Sequence, residues 1–108
     1  MCIRDSSTAE YNLLMIEGHL LRRTGKKEKL WDAIETYYKA LKLKPYNGEP
    51  YFFIGKSYFG LSSNNFELIL ESYQNALGLE LSKPLRKEAE QEILLVSERE
   101  KKLKDFWK

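Results

Sequence analysis

His19 is the only histidine and Cys2 the only cysteine among the 108 residues. The side chains that most often do acid–base, nucleophilic or metal chemistry therefore occur once each. A zinc site needs several Cys, His or carboxylate ligands at set spacings, and no second His or Cys is present to complete one. A nucleophilic Cys–His pair would have to use Cys2, in a terminal stretch that looks foreign to the rest of the chain. A lone histidine is more often a polar contact than a general base. Gly18, Gly55 and Gly60 fall inside or at the ends of helical patterns, so no glycine-rich loop is available to cradle phosphate. The run Ser62-Ser63-Asn64-Asn65 reads as loop and helix cap. No catalytic residue, cofactor-binding pattern or metal site is expected, and the chain is not read as an enzyme.

The totals narrow the remaining classes. A chain of 108 residues is one small domain at most, with one modest core. Lys plus Arg number 18 and Asp plus Glu 16, a net charge of +2; a dedicated nucleic-acid binder usually carries a clear basic excess. The 43% apolar fraction, with 13% aromatic residues, suits a folded chain. No apolar run approaches the roughly 20 residues that span a bilayer, so membrane insertion is not expected.

These residues must be positioned by helices. Residues 1–6, Met-Cys-Ile-Arg-Asp-Ser, resemble the translated end of a transposon adapter used in shotgun DNA sequencing, and are expected to be a non-native leader. A natural start is the alternative. Residues 7–10, Ser-Thr-Ala-Glu, fit a capping box opening the first helix. In that helix Leu14 and Leu21, with Leu13, Ile16 and Leu20, fall at helical spacing up to Thr24. Gly25 supplies a left-handed stop, and residues 26–29 form a polar bend. Leu30, Ile34, Tyr37 and Leu41 make one stripe on a second helix, ended by Pro45 and Asn47-Gly48.

Glu49-Pro50 opens a third helix, since proline is tolerated in a first turn. Phe52, Phe53, Ile54, Tyr58 and Phe59 make it apolar almost all round, which predicts deep burial. A fourth helix is expected from Phe66 to about Leu81, after a cap at Asn64 or Asn65, burying Phe66, Leu70, Tyr73 and Leu77. Ser82 and Pro84 begin a fifth and longer helix, with Leu85, Ala89, Ile93, Val96, Leu103 and Trp107 on one stripe interrupted by Glu100. It reads as an amphipathic helix covering the open end of a stack; a coiled-coil or membrane-surface helix is disfavoured by too few heptads and mixed charge. Lys101-Lys102-x-Lys104 beside Phe106-Trp107 suits either contact with an acidic partner or simple complementation of the helix dipole.

One stretch recurs. Residues 35–43, Glu-Thr-Tyr-Tyr-Lys-Ala-Leu-Lys-Leu, return 36 positions later as Glu-Ser-Tyr-Gln-Asn-Ala-Leu-Gly-Leu at 71–79. Leu14-x-x-Glu17-Gly18-x-x-Leu21 returns 37 positions later as Tyr51-x-x-Ile54-Gly55-x-x-Tyr58. Self-similarity at a period of roughly 20–50 residues marks stacked-repeat architectures.

The repeats resemble the tetratricopeptide repeat, with its period of about 34 and its pattern W-x2-L-G-x2-Y, A-x3-F, P. Gly18, Ala33, Tyr37, Ala40 and Pro45 match in the first copy, with Leu14 and Leu21 at the Trp and Tyr places. Tyr51, Ile54, Gly55, Tyr58, Tyr73 and Ala76 match in the second. Small residues fall where paired helices cross, and aromatic rings fill the holes beside them. Glu17 stands where the family has Leu, Ile69 replaces the first Ala of the second hairpin, and Pro84 comes late, with Leu81 in its expected place. The bends within the paired helices are longer than the family's.

The resemblance implies an all-α fold: a right-handed superhelix of two helical hairpins, residues 7–45 and 46–82, and a capping helix over 83–108. Two repeats are fewer than the roughly three usually needed for stability, so a piece of a longer array is expected, with Leu13 and Ile16 short of cover. Family members grip a peptide in a groove lined by the first helix of each pair. Projected onto this chain, the lining is Asn12, Met15, His19 and Arg22, then Glu49, Phe52, Lys56 and Phe59. Aromatic and cationic groups there suit a peptide with apolar anchors and acidic flanks. Met15 and Phe53 occupy two places where family members that clamp a C-terminal carboxylate carry Lys and Asn, so no such clamp is expected. Phe52 and Phe59 have a second reading, packing against the last helix. Two functions follow: a scaffold or adaptor module that binds a protein or peptide partner, or a spacer or accessory part of a larger enzyme or assembly, without its own ligand.

Overall fold

The structure is a computed structural model that describes residues 3–106, with side chains from residue 8 onward. Cys2 and Trp107 therefore lie outside the described residues, as do the side chains of the expected leader. Five helices follow one another: α1 (Ile3–Arg23), α2 (Lys27–Leu43), α3 (Glu49–Leu61), α4 (Phe66–Leu77) and α5 (Lys83–Phe106). Each packs chiefly on its neighbours in sequence, and α3 also touches α5. The result is elongated, 61 × 29 × 19 Å.

Helix boundaries follow local chemistry, with three departures from expectation. The first helix starts at Ile3, so residues 7–10 lie inside it and do not cap its start. Its end is as expected: Gly25 takes φ +74°, and the Thr24 hydroxyl donates to the Leu21 carbonyl at 2.9 Å. Second, α2 begins at Lys27, within the stretch read as a bend. Third, α4 stops at Leu77, not near Leu81. The Glu80 amide donates to the Tyr46 carbonyl at 3.0 Å, and the Gly48 amide to the Glu80 carbonyl at 2.7 Å. This short parallel bridge joins the α2–α3 and α4–α5 loops, and it takes backbone groups that a longer α4 would have used. Arg86 then supplies the missing donors to the end of α4, reaching the carbonyls of Leu77 and Leu79 at 3.2 Å each. A cation is favourable at a helix C-terminus.

The core repeats as the sequence does. On α2 the buried residues include Ala33, Thr36, Tyr37 and Ala40. On α4 they are Ile69, Ser72, Tyr73 and Ala76, each 36 positions on. Of the predicted stripes, Leu30, Ile34, Tyr37 and Tyr73 are buried, while Leu41, Phe66, Leu70 and Leu77 are only half-buried, because α2 and α4 each lie between two others and their small residues face the closest crossing. Gly18 lies against the Tyr37 ring and Gly55 against the Tyr73 ring. One core cluster gathers Tyr11, Met15, Ile34, Tyr37 and Ile54. The other gathers Phe52, Ile69, Tyr73, Ala89 and Val96. Tyr51, Phe53 and Tyr58 of α3 pack against both, which puts α3 between the two clusters.

The fifth helix buries Ala89 and Val96 and keeps Leu85, Ile93 and Leu103 half-covered, the expected stripe. Arg99 ties it to the α3–α4 loop, donating to Ser63 Oγ at 3.0 Å and Asn64 Oδ1 at 3.4 Å. Asn65, one of the two expected positions, stands at the N-cap of α4 but makes no side-chain cap bond. On α1 a stripe of Leu13, Ile16 and Leu20 stays exposed.

Candidate functional site

Two tyrosines set the site from behind. The helical periods of α1 and α2 bring Gly18 over Tyr37, which is fully buried. Its hydroxyl lies 2.8 Å from His19 Nδ1 and accepts from Arg22 Nε at 3.2 Å. Arg22 occupies one lone pair of the phenol, and the bond to Nδ1 runs in the direction set by the imidazole tautomer. Burial lowers the His19 pKa, and Arg22 and Arg23 lower it further, which keeps this ring neutral near pH 7. Burial pushes the Tyr37 phenol up despite its bond from Arg22. The Arg22 guanidinium lies 5.0 Å from the centroid of Phe53, whose ring also meets the His19 ring edge-on at 4.5 Å. Arg22 is thereby held by a hydrogen bond and a ring face together.

The second hairpin repeats the frame with other groups. Tyr73 lies under Gly55; burial, and then Glu92 and Glu88, push its phenol up. Lys56 takes the place of His19. Its ammonium sits 5.3 Å from the Phe52 centroid and pairs with Glu88 of α5 at 2.7 Å. Phe59 takes the place of Arg22 and is 40% exposed. Arg22, Lys56, Phe59, Tyr73 and Glu92 line one open cleft of about 370 Å³.

The eight residues projected onto the groove separate accordingly. Arg22, Lys56 and Phe59 share the cleft, and His19 joins them through Tyr37 and Phe53. Asn12 is exposed. Glu49 is half-buried on a different cleft, with Asn47, Glu80 and Leu85, and burial raises its pKa. Met15 and Phe52 do not line a groove: they are 6% and 0% exposed. Met15 faces the α1–α2 core, and Phe52 packs into the cluster that includes Ala89 and Val96 of α5. Phe52 is thus a core residue, in a cluster to which α5 contributes, while Phe59 remains open to solvent.

Sequence reasoning missed Tyr37 and Tyr73 as the polar backing of the site, and Glu88 and Glu92 as its far wall. The two carboxylates carried a signal, since they stand four apart beside Ala89, and such a pair shares one helix face. Among the described residues, no three His, Cys, Asp or Glu gather as a metal would require. No described helix is long and apolar enough to cross a membrane. The chain matches no protein-family model, no curated protein and no solved structure.

Proposed function

We propose that this chain is a tetratricopeptide-like interaction module that binds a peptide segment of a protein partner across the face shared by α1 and α3. In this reading the two hairpins and α5 follow a right-handed superhelix, and the module has no catalysis of its own. The observation that carries it is the cleft in which two held cations, Arg22 and Lys56, flank an exposed aromatic ring, Phe59. Arginine and aromatic anchors supply most of the energy in protein interfaces. The repeated glycine–tyrosine packing supports the same reading, because it sets α1 and α3 in like poses against their partners.

The test is selection of random displayed peptides on the immobilised protein, followed by affinity measurements with Lys56→Ala plus Phe59→Ala. Loss of roughly tenfold or more in affinity is expected, as for interface anchors worth about 2 kcal/mol. Failure to select any peptide, or affinities unchanged in the double variant, would favour the spacer reading.

A further inference from the structure

We infer that the Arg22–Lys56 cleft is a subsite for an acidic side chain of the bound peptide, and that Glu88 and Glu92 of α5 hold its affinity down. The inference rests on the groove reading above and specifies its chemistry. Arg22 is committed only at Nε, to Tyr37, and its plane is braced on Phe53. Among the described residues its terminal amino groups have no hydrogen bond, and no carboxylate lies within ion-pair distance of it. A guanidinium fork held this way matches a carboxylate and loses little freedom on binding one.

Lys56 already displays the proposed interaction, with Glu88 Oε2 at 2.7 Å. That pair is not deeply buried: the side chains of Lys56 and Glu88 are 30% and 43% exposed. Pairs this open are weak and exchange readily. An incoming carboxylate can take the place of Glu88 on Lys56 while reaching the free donors of Arg22. Glu92 lines the same cleft and repels it. Phe59, exposed at the edge, offers apolar contact to the residue beside the acidic one. The ligand is thus an extended segment in which acidic and apolar residues adjoin.

Three labelled peptides serve as probes, blocked at both ends, alternating leucine with glutamate, glutamine or lysine. Fluorescence anisotropy would read their affinities for the wild type, Glu88→Gln plus Glu92→Gln, and Arg22→Gln. The glutamate peptide is expected to bind best, with a preference that shrinks as salt rises. The double α5 variant tightens it roughly two- to fivefold, the scale of a partly exposed ion pair. Arg22→Gln removes the preference; since it also loses a bond to Tyr37, Lys56→Gln provides a second test and must weaken the preference too. Equal binding of all three peptides, best binding of the lysine peptide, or weaker glutamate binding by the α5 variant would overturn the inference. If none of the three binds, the inference falls; the groove reading falls with it only when random-peptide selection is also empty.

Discussion

Gly18 and Tyr37 approach so closely that a β-carbon on residue 18 would sit 2.5 Å from Cε1 of the ring. The ring is fully buried, and its hydroxyl is held by His19 and Arg22, so it has nowhere to swing. At Gly55 the same test meets Tyr73 at 3.1 Å. Alanine gains roughly 1 kcal/mol over glycine inside a helix, against about 1–3 kcal/mol for overpacking. Gly18→Ala is therefore expected to lower stability by about 1–2 kcal/mol, and Gly55→Ala to fall within about 0.5 kcal/mol of the wild type. Urea unfolding of the two variants checks the order.

His19 gives the fold a pH dependence of definite sign. Its folded pKa lies below the ordinary 6.5, first through burial and then through Arg22 and Arg23. Its contribution is full above the unfolded value and is lost as pH falls through the folded one. Protonation also fixes Nδ1 as a donor, toward a hydroxyl that already accepts from Arg22. Stability should decline on acidification below 6.5, and His19→Gln should lack that step. Thermal midpoints measured across this range decide it.

Glu49 works in the opposite sense. Burial raises its folded pKa above the ordinary 4.5, even though a helix N-terminus favours a negative charge. The folded state therefore prefers the proton. The contribution is full below 4.5 and is lost as pH rises through the folded value. Glu49→Gln is expected to be more stable than the wild type at neutral pH, with the gain vanishing once the solution is more acidic than 4.5. Denaturation curves of the pair at the two extremes provide the check.

Gly48 is the strictest position. A β-carbon there would run into the carbonyl oxygen of Ala76, which is backbone and cannot step aside. Its amide also makes the 2.7 Å bond to Glu80. Gly48→Ala should cost about 3 kcal/mol, the upper end of overpacking costs. Hydrogen exchange should show faster exchange at the Gly48 and Glu80 amides.

Much of this fold was legible because the signals were local. Gly25 marked a stop that its left-handed backbone fulfils, and Glu49-Pro50 marked the start of α3. The repeat of Tyr37 and Ala40 as Tyr73 and Ala76 marked equivalent crossings. Phe52 fell on the groove by projection, because a one-dimensional pattern cannot show that its ring meets Tyr73 of α4 inside the second core cluster. The early end of α4 was hidden for a similar reason: its cause is a backbone bridge to a loop over thirty residues earlier, at Asn47. Arg22 and Lys56 could be placed on one face by period alone. Their carboxylate neighbours could not, since Glu88 meets Lys56 only through the docking of α5.

The bridge between Asn47 and Glu80 also divides the molecule mechanically. It closes the α3–α4 hairpin into a loop whose two ends are laced together by backbone, whereas α1 is held to α2 and its following loop by packing, a short turn and the side-chain hydrogen bonds of Tyr37 and Tyr11. In a stack where contacts run mainly between sequence neighbours, tension on the termini is carried in series and yields at the weaker link. Side chains lace the first hairpin and backbone the second, so the two halves would resist a pull by different means.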